Sequence, residues 1–200
     1  DVMTIGTYEV PIWAEKGCLA PLDALGDDYD VDDIMPAIRS AVSNDGNLYA
    51  APFYGESSMM MYRKDLFDAA GISIDGRLTW DQTLEIAQKL HKPDEGVYGI
   101  CLRGKAGWGE NMALITTMGN AFGARLFDEE WNPTFDSAEW KNALDMYTNI
   151  LGNYGPPGAT SNGFNENLSL FNSGKCGMWI DATVAASFVT NPKESKVADK

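Results

Sequence analysis

The sequence lacks the long apolar runs and the cysteine pairs that mark several classes of protein. No stretch of its 200 residues approaches the roughly 18 apolar residues of a membrane-spanning helix, so no transmembrane segment is predicted. The three cysteines, Cys18, Cys101 and Cys176, are far apart and form no CxxC pair. We therefore predict small buried apolar thiols and no closed set of disulfides or metal ligands, and cysteine usage leaves the redox compartment undecided.

Signatures of catalysis are also missing. The sequence contains no GxSxG, HExxH, P-loop or dinucleotide-binding pattern. Its single histidine, His91, follows a helical stripe and is predicted to be an exposed helix-end residue, which removes His-dependent triads from the candidates. No metal-ligand set and no cofactor site is predicted. A glycosidase needs only two suitably spaced carboxylates, so a carbohydrate hydrolase stays open as an alternative.

Positive charge is scarce in this chain. There are 15 Lys and Arg residues against 29 Asp and Glu residues, which gives a formal net charge of −14. Nucleic-acid binding and docking on anionic lipid both need clustered basic residues, so neither partner is predicted. The apolar fraction of 44% and the aromatic fraction of 11% indicate a folded domain rather than a disordered chain.

Apolar runs alternate with helix signals along the chain. Strands are predicted at residues 2–5, 48–53, 97–102 and 176–180, and Thr79 with Gln82 forms a capping box that opens one of the helices between them. This alternation predicts an α/β fold with a mostly parallel sheet. The chain shows no signal peptide at its start, and its first residues read as a strand entered midway, which favours a segment of a longer protein.

Four loops at predicted strand ends pair an aromatic ring with a carboxylate. They lie at residues 7–9, 54–56, 108–111 and 179–181. Ligands of open α/β sheets bind beyond the carboxyl ends of the strands, so these loops are candidates for one site. Carboxylates and amides hydrogen-bond to hydroxyl groups, and aromatic rings cover C–H faces, so the combination suits a polyhydroxylated ligand. Trp80 and Trp140 lie on helical stripes and are predicted to be core residues instead.

Several segments, in their order along the chain, resemble one known family. The segments are Asp1–Gly6, Trp13–Gly17, Leu19–Asp23, Gly46–Phe53, Met61–Phe67, Thr79–Asp81 and Phe171–Ile180. Together they resemble the extracellular solute-binding proteins of carbohydrate ABC importers, in the group typified by maltose-binding protein, with the sorbitol- and mannitol-type polyol binders as the nearest match.

The resemblance implies a type II periplasmic-binding-protein-like α/β fold, with one nearly complete lobe and part of the other. Residues 1–53 would end the N-terminal lobe, residues 54–190 would form most of the C-terminal lobe, and residues 191–200 would be the tail of an incomplete segment. It further implies a periplasmic or extracellular protein, or a lipoprotein of the cell envelope. Such a protein is no enzyme: it captures a sugar alcohol or small sugar between its lobes and delivers it to a membrane permease.

The resemblance also implies which residues contact the ligand. The implied ligand-binding residues are Tyr8, Glu9, Glu56, Arg103, Trp108, Glu110, Asn111, Trp179 and Asp181. For Arg103, donation to ligand hydroxyls and a salt bridge with an acidic neighbour both stay open. Besides the hydrolase, an adhesive or interaction domain is a third reading, and a broad exposed apolar patch would distinguish it from a binding cleft.

Overall fold

The computed structural model describes residues 1–22, 25–26 and 28–200. Within them the chain divides into two compact units, Asp1–Glu56 and Ser57–Lys200. None of the described helices is both long enough and apolar enough to cross a membrane.

The first unit contains two short helices and one hairpin. Its elements are α1 (Glu9–Glu15), α2 (Pro36–Ala41), β1 (Ser43–Asn44) and β2 (Asn47–Leu48), with a 3-10 turn at Val31–Asp33. Asp45 and Gly46 connect β1 to the antiparallel β2, and both have positive φ, as a tight two-residue hairpin turn requires. The strand predicted at residues 2–5 does not form, because no described strand pairs with it, and the strand predicted at 48–53 is reduced to β2.

The second unit is built on a three-stranded sheet. Its strands are β3 (Ser58–Tyr62), β4 (Tyr98–Cys101) and β5 (Cys176–Ala182), in the order β3-β5-β4. The central strand β5 is parallel to β4 and antiparallel to β3. The prediction of a mostly parallel sheet was therefore wrong, since the alternation of strands and helices along a sequence does not reveal in which direction each strand joins the sheet.

Helices cover both faces of this sheet. They are α3 (Lys64–Ala69), α4 (Trp80–Leu90), α5 (Asn111–Ala121), α6 (Ala138–Tyr154), α7 (Phe164–Asn172) and α8 (Ala185–Val189), with 3-10 turns at Pro93–Glu95 and Ala159–Ser161. Successive residues of β5 point to opposite faces. Met178 therefore packs in a core with α4, α5 and α6, whereas Trp179 packs in a second core with Phe171 and Val189. Trp140 is buried as predicted, and Trp80 is partly buried against the first core.

The cysteine prediction needs correction. Cys101 of β4 and Cys176 of β5 are fully buried and form a disulfide, with their Cα atoms 5.8 Å apart, while Cys18 is free and exposed. An odd number of cysteines had argued against a closed set, but it does not prevent one pair from forming. The pairing depends on two strands becoming neighbours although their cysteines lie 75 residues apart in sequence.

Burial corrects the expectation for His91. His91 is half-buried rather than exposed, and its Nδ1 accepts a hydrogen bond from the backbone N–H of Gly99 at 3.2 Å. In the final ten residues, which are polar in sequence, Ser195 and Val197 are buried. Val197 belongs to the second core of the sheet.

The capping box predicted from the sequence is confirmed at the start of α4. Thr79 Oγ1 accepts from the N–H of Gln82 at 3.2 Å, and Gln82 Oε1 accepts from the N–H of Thr79 at 2.8 Å. We expect Thr79→Ala to lower the free energy of unfolding by about 1 kcal/mol, because it leaves a helix N-terminal donor without its side-chain acceptor. Thr79→Ser keeps the hydroxyl and is the matched control. Urea titration of the complete protein measures both, and equal losses in the two variants would contradict the role of the hydroxyl.

Candidate functional site

One edge of the sheet gathers most of the predicted site residues of the second unit. Cys101 of β4 pairs with Trp179 of β5, so the carboxyl ends of these parallel strands lie side by side. The amino end of β3 joins the same edge, because Ser58 pairs with Ala182. The loop that follows β4 and the last residues of β5 therefore meet at one edge.

An ion pair joins these two segments. Arg103 donates from Nε to Asp181 Oδ2 at 2.9 Å and from Nη2 to Asp181 Oδ1 at 2.5 Å. Asp181 also accepts from Trp179 Nε1 at 3.1 Å and from the N–H of Ala182 at 2.7 Å, and its side chain is only 1% exposed. Of the two options left open for Arg103, the structure shows the salt bridge. The expectation that Asp181 binds ligand is corrected, because its oxygens are buried and accept hydrogen bonds from the protein itself.

Trp179 is likewise enclosed by the protein. Its side chain is fully buried, with its ring centroid 5.4 Å from that of Phe164 and 6.0 Å from that of Phe171. The expectation of a stacking ring at this position is therefore corrected. Residue parity along β5 directs Trp179 into the second core, and its indole N–H supports the Asp181 carboxylate.

Trp108, by contrast, lies near the end of the loop after β4 with 57% of its surface exposed. The loop is tied down on both sides of it. The N–H groups of Gly104 and Lys105 donate to the carbonyl of Asn162 at 2.9 and 3.0 Å, and the guanidinium Nη1 of Arg103 donates to the carbonyl of Gly109. The structure thus presents the ring of Trp108 at the surface on a loop that is anchored to the sheet.

Glu110 and Asn111 stand where this loop enters α5. The Glu110 carboxylate forms ion pairs with Arg103 Nη1 at 3.6 Å and Lys105 Nζ at 3.9 Å. Asn111 Oδ1 accepts from the N–H of Gly107 at 3.2 Å. Both side chains are partly buried and help to shape the loop that carries Trp108.

Three residues of this site were missed by sequence reasoning. The ring of Phe164 lies against the Arg103 guanidinium, whose carbon is 5.2 Å from the ring centroid. A Cβ at Gly163 would come within 2.5 Å of Glu110 Oε2, so glycine leaves the room that this carboxylate occupies. Tyr147 donates its hydroxyl to the Arg103 carbonyl at 2.8 Å, and burial raises the pKa of Tyr147. No local pattern in the sequence signals these long-range contacts.

The remaining predicted residues belong to the first unit. Glu9 is the first residue of α1, and its Oε2 accepts from the N–H of Gly6 at 2.8 Å. Tyr8 is 57% exposed, and Glu56 is the exposed last residue of the unit. Their role in a site shared with the second unit stays a prediction. Among the residues that the structure describes, no cluster of His, Cys, Asp and Glu could hold a metal ion.

Comparison with known proteins identifies the family of the chain. The family model of bacterial extracellular solute-binding proteins matches residues 1–200. The mannitol-binding protein of Pseudomonas aeruginosa is 60% identical over 199 residues, which are 100% of this chain and 46% of that protein.

Solved structures agree with this placement. A solute-binding protein of Agrobacterium vitis S4, crystallised with bound D-mannitol, superposes with a TM-score of 0.95 at 63% identity and covers 100% of this chain and 48% of its own. A solute-binding protein of Agrobacterium radiobacter K84 in complex with ribitol gives a TM-score of 0.84 at 26% identity, over 97% of this chain and 49% of that one.

The chain spans about half the length of these relatives. The relatives named above are binding proteins, and nothing in the comparisons supports the hydrolase alternative. The mixed helix-and-sheet architecture is part of the type II periplasmic-binding-protein fold. Because the family model matches the whole sequence and the relatives agree with it, the chain belongs to the bacterial extracellular solute-binding protein family.

Proposed function

We propose that the complete protein captures a sugar alcohol of the mannitol type and delivers it to the membrane permease of an ABC importer. The single observation that carries the proposal is the 60% identity to a mannitol-binding protein, which extends over the whole of this chain. The bound D-mannitol of a relative at 63% identity supports the same ligand class.

The chemistry of the sheet edge supports a hydroxyl-rich ligand. Trp108 offers an exposed ring that can cover the C–H groups of a polyol and exclude water. Near it, the partly exposed Glu110 carboxylate can accept hydrogen bonds from hydroxyl groups, and such bonds to a charged group contribute roughly 1.5–3 kcal/mol. Tyr8, Glu9 and Glu56 of the first unit are further proposed ligand contacts. The complete protein would close around its ligand because the ligand binds the closed state better than the open state.

The buried disulfide supports a location outside the cytoplasm. Disulfides persist in oxidising compartments such as the bacterial periplasm and are rare in the cytosol. The bridge between Cys101 and Cys176 therefore agrees with a periplasmic or extracellular protein that hands its ligand to a permease in the membrane.

The proposed site is tested by substituting its exposed residues. In the complete protein, we expect Trp108→Ala and Glu56→Ala each to weaken mannitol binding tenfold or more, which corresponds to about 1.4 kcal/mol or more. Each change removes a contact with the ligand. Isothermal titration calorimetry measures the dissociation constants.

Trp131→Ala is the matched control for the tryptophan substitution. Trp131 is 79% exposed and lies in the loop after α5, whereas Trp108 lies in the loop before that helix. We expect the control to leave binding unchanged. Wild-type dissociation constants in both site variants would refute the assignment, and release of product from sugars incubated with the protein would instead favour the hydrolase.

A further inference from the structure

We propose that Asp181 and Trp179 are positioning residues, which act through Arg103 to fix the loop that presents Trp108 to the ligand. The proposal rests on the proposed polyol-binding function and deepens it. It gives the two residues at the end of β5 a role different from direct ligand contact, which their burial makes unavailable.

Asp181 orients the side chain of Arg103. The guanidinium of Arg103 donates hydrogen bonds from two nitrogens to the carboxylate of Asp181. Such a paired arrangement fixes the plane of the guanidinium as well as its position. Trp179 in turn donates its indole N–H to Asp181 at 3.1 Å. The side chains of Arg103 and Asp181 are only 14% and 1% exposed, so water competes little for these bonds.

Arg103 in turn restrains the loop that carries Trp108. With Nε and Nη2 directed at Asp181, Nη1 points along the loop and donates to the carbonyl of Gly109, the residue directly after Trp108. One side chain thereby ties the end of the loop to its beginning. Trp108 stands between Gly107 and Gly109, and glycine restrains the backbone least of all residues, so an external tie matters most here.

The order of this loop affects the free energy of ligand binding. A loop that is already ordered loses less conformational freedom when a ligand binds, and this preorganisation improves affinity without any new contact. Phe164 under the guanidinium and Tyr147 on the Arg103 carbonyl hold the same arginine from other sides. Arg103 also pairs with Glu110, but its bond to Gly109 acts directly on the segment that carries Trp108, so we expect most of its effect on affinity to depend on Trp108.

This conditional effect defines the experiment. In the complete protein, we expect the isosteric Asp181→Asn to weaken mannitol binding at least fivefold when Trp108 is present, and less than twofold in the Trp108→Ala background. Direct ligand contact by Asp181, or general damage to the fold, would give the same factor in both backgrounds. Asp145→Asn, in an exposed ion pair with Lys141 on α6, is the matched control and should change nothing.

A ligand-free measurement separates this proposal from the proposed function. In protein labelled with 5-fluorotryptophan, the 19F resonance of Trp108 is assigned with Trp108→Phe. We expect Asp181→Asn to shift or narrow that resonance, and Asp145→Asn to leave it in place. If wild-type protein does not bind mannitol, the proposed function fails, yet the resonance still tests the positioning.

Arg103→Lys serves as a second variant if Asp181→Asn does not fold, because lysine keeps the charge but cannot reach Asp181 and Gly109 together. It should move the Trp108 resonance and show the same dependence on Trp108. Equal factors in both backgrounds, an unchanged dissociation constant, or an unmoved resonance would each overturn the proposal.

Discussion

Replacing Cys101 and Cys176 together with alanine is expected to lower the free energy of unfolding of the complete protein by about 4 kcal/mol. The two cysteines are separated by 75 residues, so their disulfide closes a long loop and removes much of the conformational freedom of the unfolded chain. Both side chains are fully buried, so the bridge also fills space between β4 and β5.

Chemical denaturation of the double variant and the oxidised wild type measures this difference. The denaturant dependence should also become steeper, because an unfolded chain without the cross-link exposes more surface. Cys18→Ala is the matched control, since Cys18 is free and exposed, and it should leave the unfolding curve in place. A loss below about 1 kcal/mol in the double variant would contradict the stabilising role of the bridge.

Removing the arginine of the buried ion pair is expected to lower the free energy of unfolding by a similar amount. We expect Arg103→Met to lower the free energy of unfolding by about 3–5 kcal/mol, because it leaves the Asp181 carboxylate buried without a cation. Asp181 keeps its bonds from Trp179 and Ala182, but neither carries a positive charge. Methionine retains most of the apolar stem, so the effect reports on the charge rather than on packing.

Two companion variants make this measurement specific. Arg103→Met combined with Asp181→Leu removes both charges and should recover much of the lost stability, as the desolvation cost disappears with the charge. Arg125→Met breaks the exposed pair with Glu129, whose side chains are 69% and 83% exposed, and should cost less than about 1 kcal/mol. Equal losses for Arg103→Met and Arg125→Met would show that burial of the pair contributes nothing.

A local signal in the sequence was sufficient to place the start of α4. Thr79 and Gln82 marked the start of α4 because both partners of a capping box lie within one turn of each other. Ser137 likewise caps α6, where it accepts from the N–H of Trp140 at 3.3 Å. The order of the family segments was equally readable, and it led to the family that the comparisons establish.

The candidate site was predicted only in part. Trp108 lies exposed in the loop after β4, where the sequence had placed it, and its contact with ligand stays a prediction. Trp179 and Asp181 share the same pairing of ring and acid in sequence, yet they are buried. The difference arises because β5 is the central strand, covered on both faces, whereas the loop after β4 reaches the surface.

The sequence by itself determined the start of α4, the loop after β4 and the family of this protein, because each depends on residues close together in the chain or on their order. Only the tertiary structure decided the antiparallel entry of β3, the disulfide and the partner of Arg103. These features join residues that are distant in sequence, and their energies arise when packing excludes water and brings the groups within bonding distance.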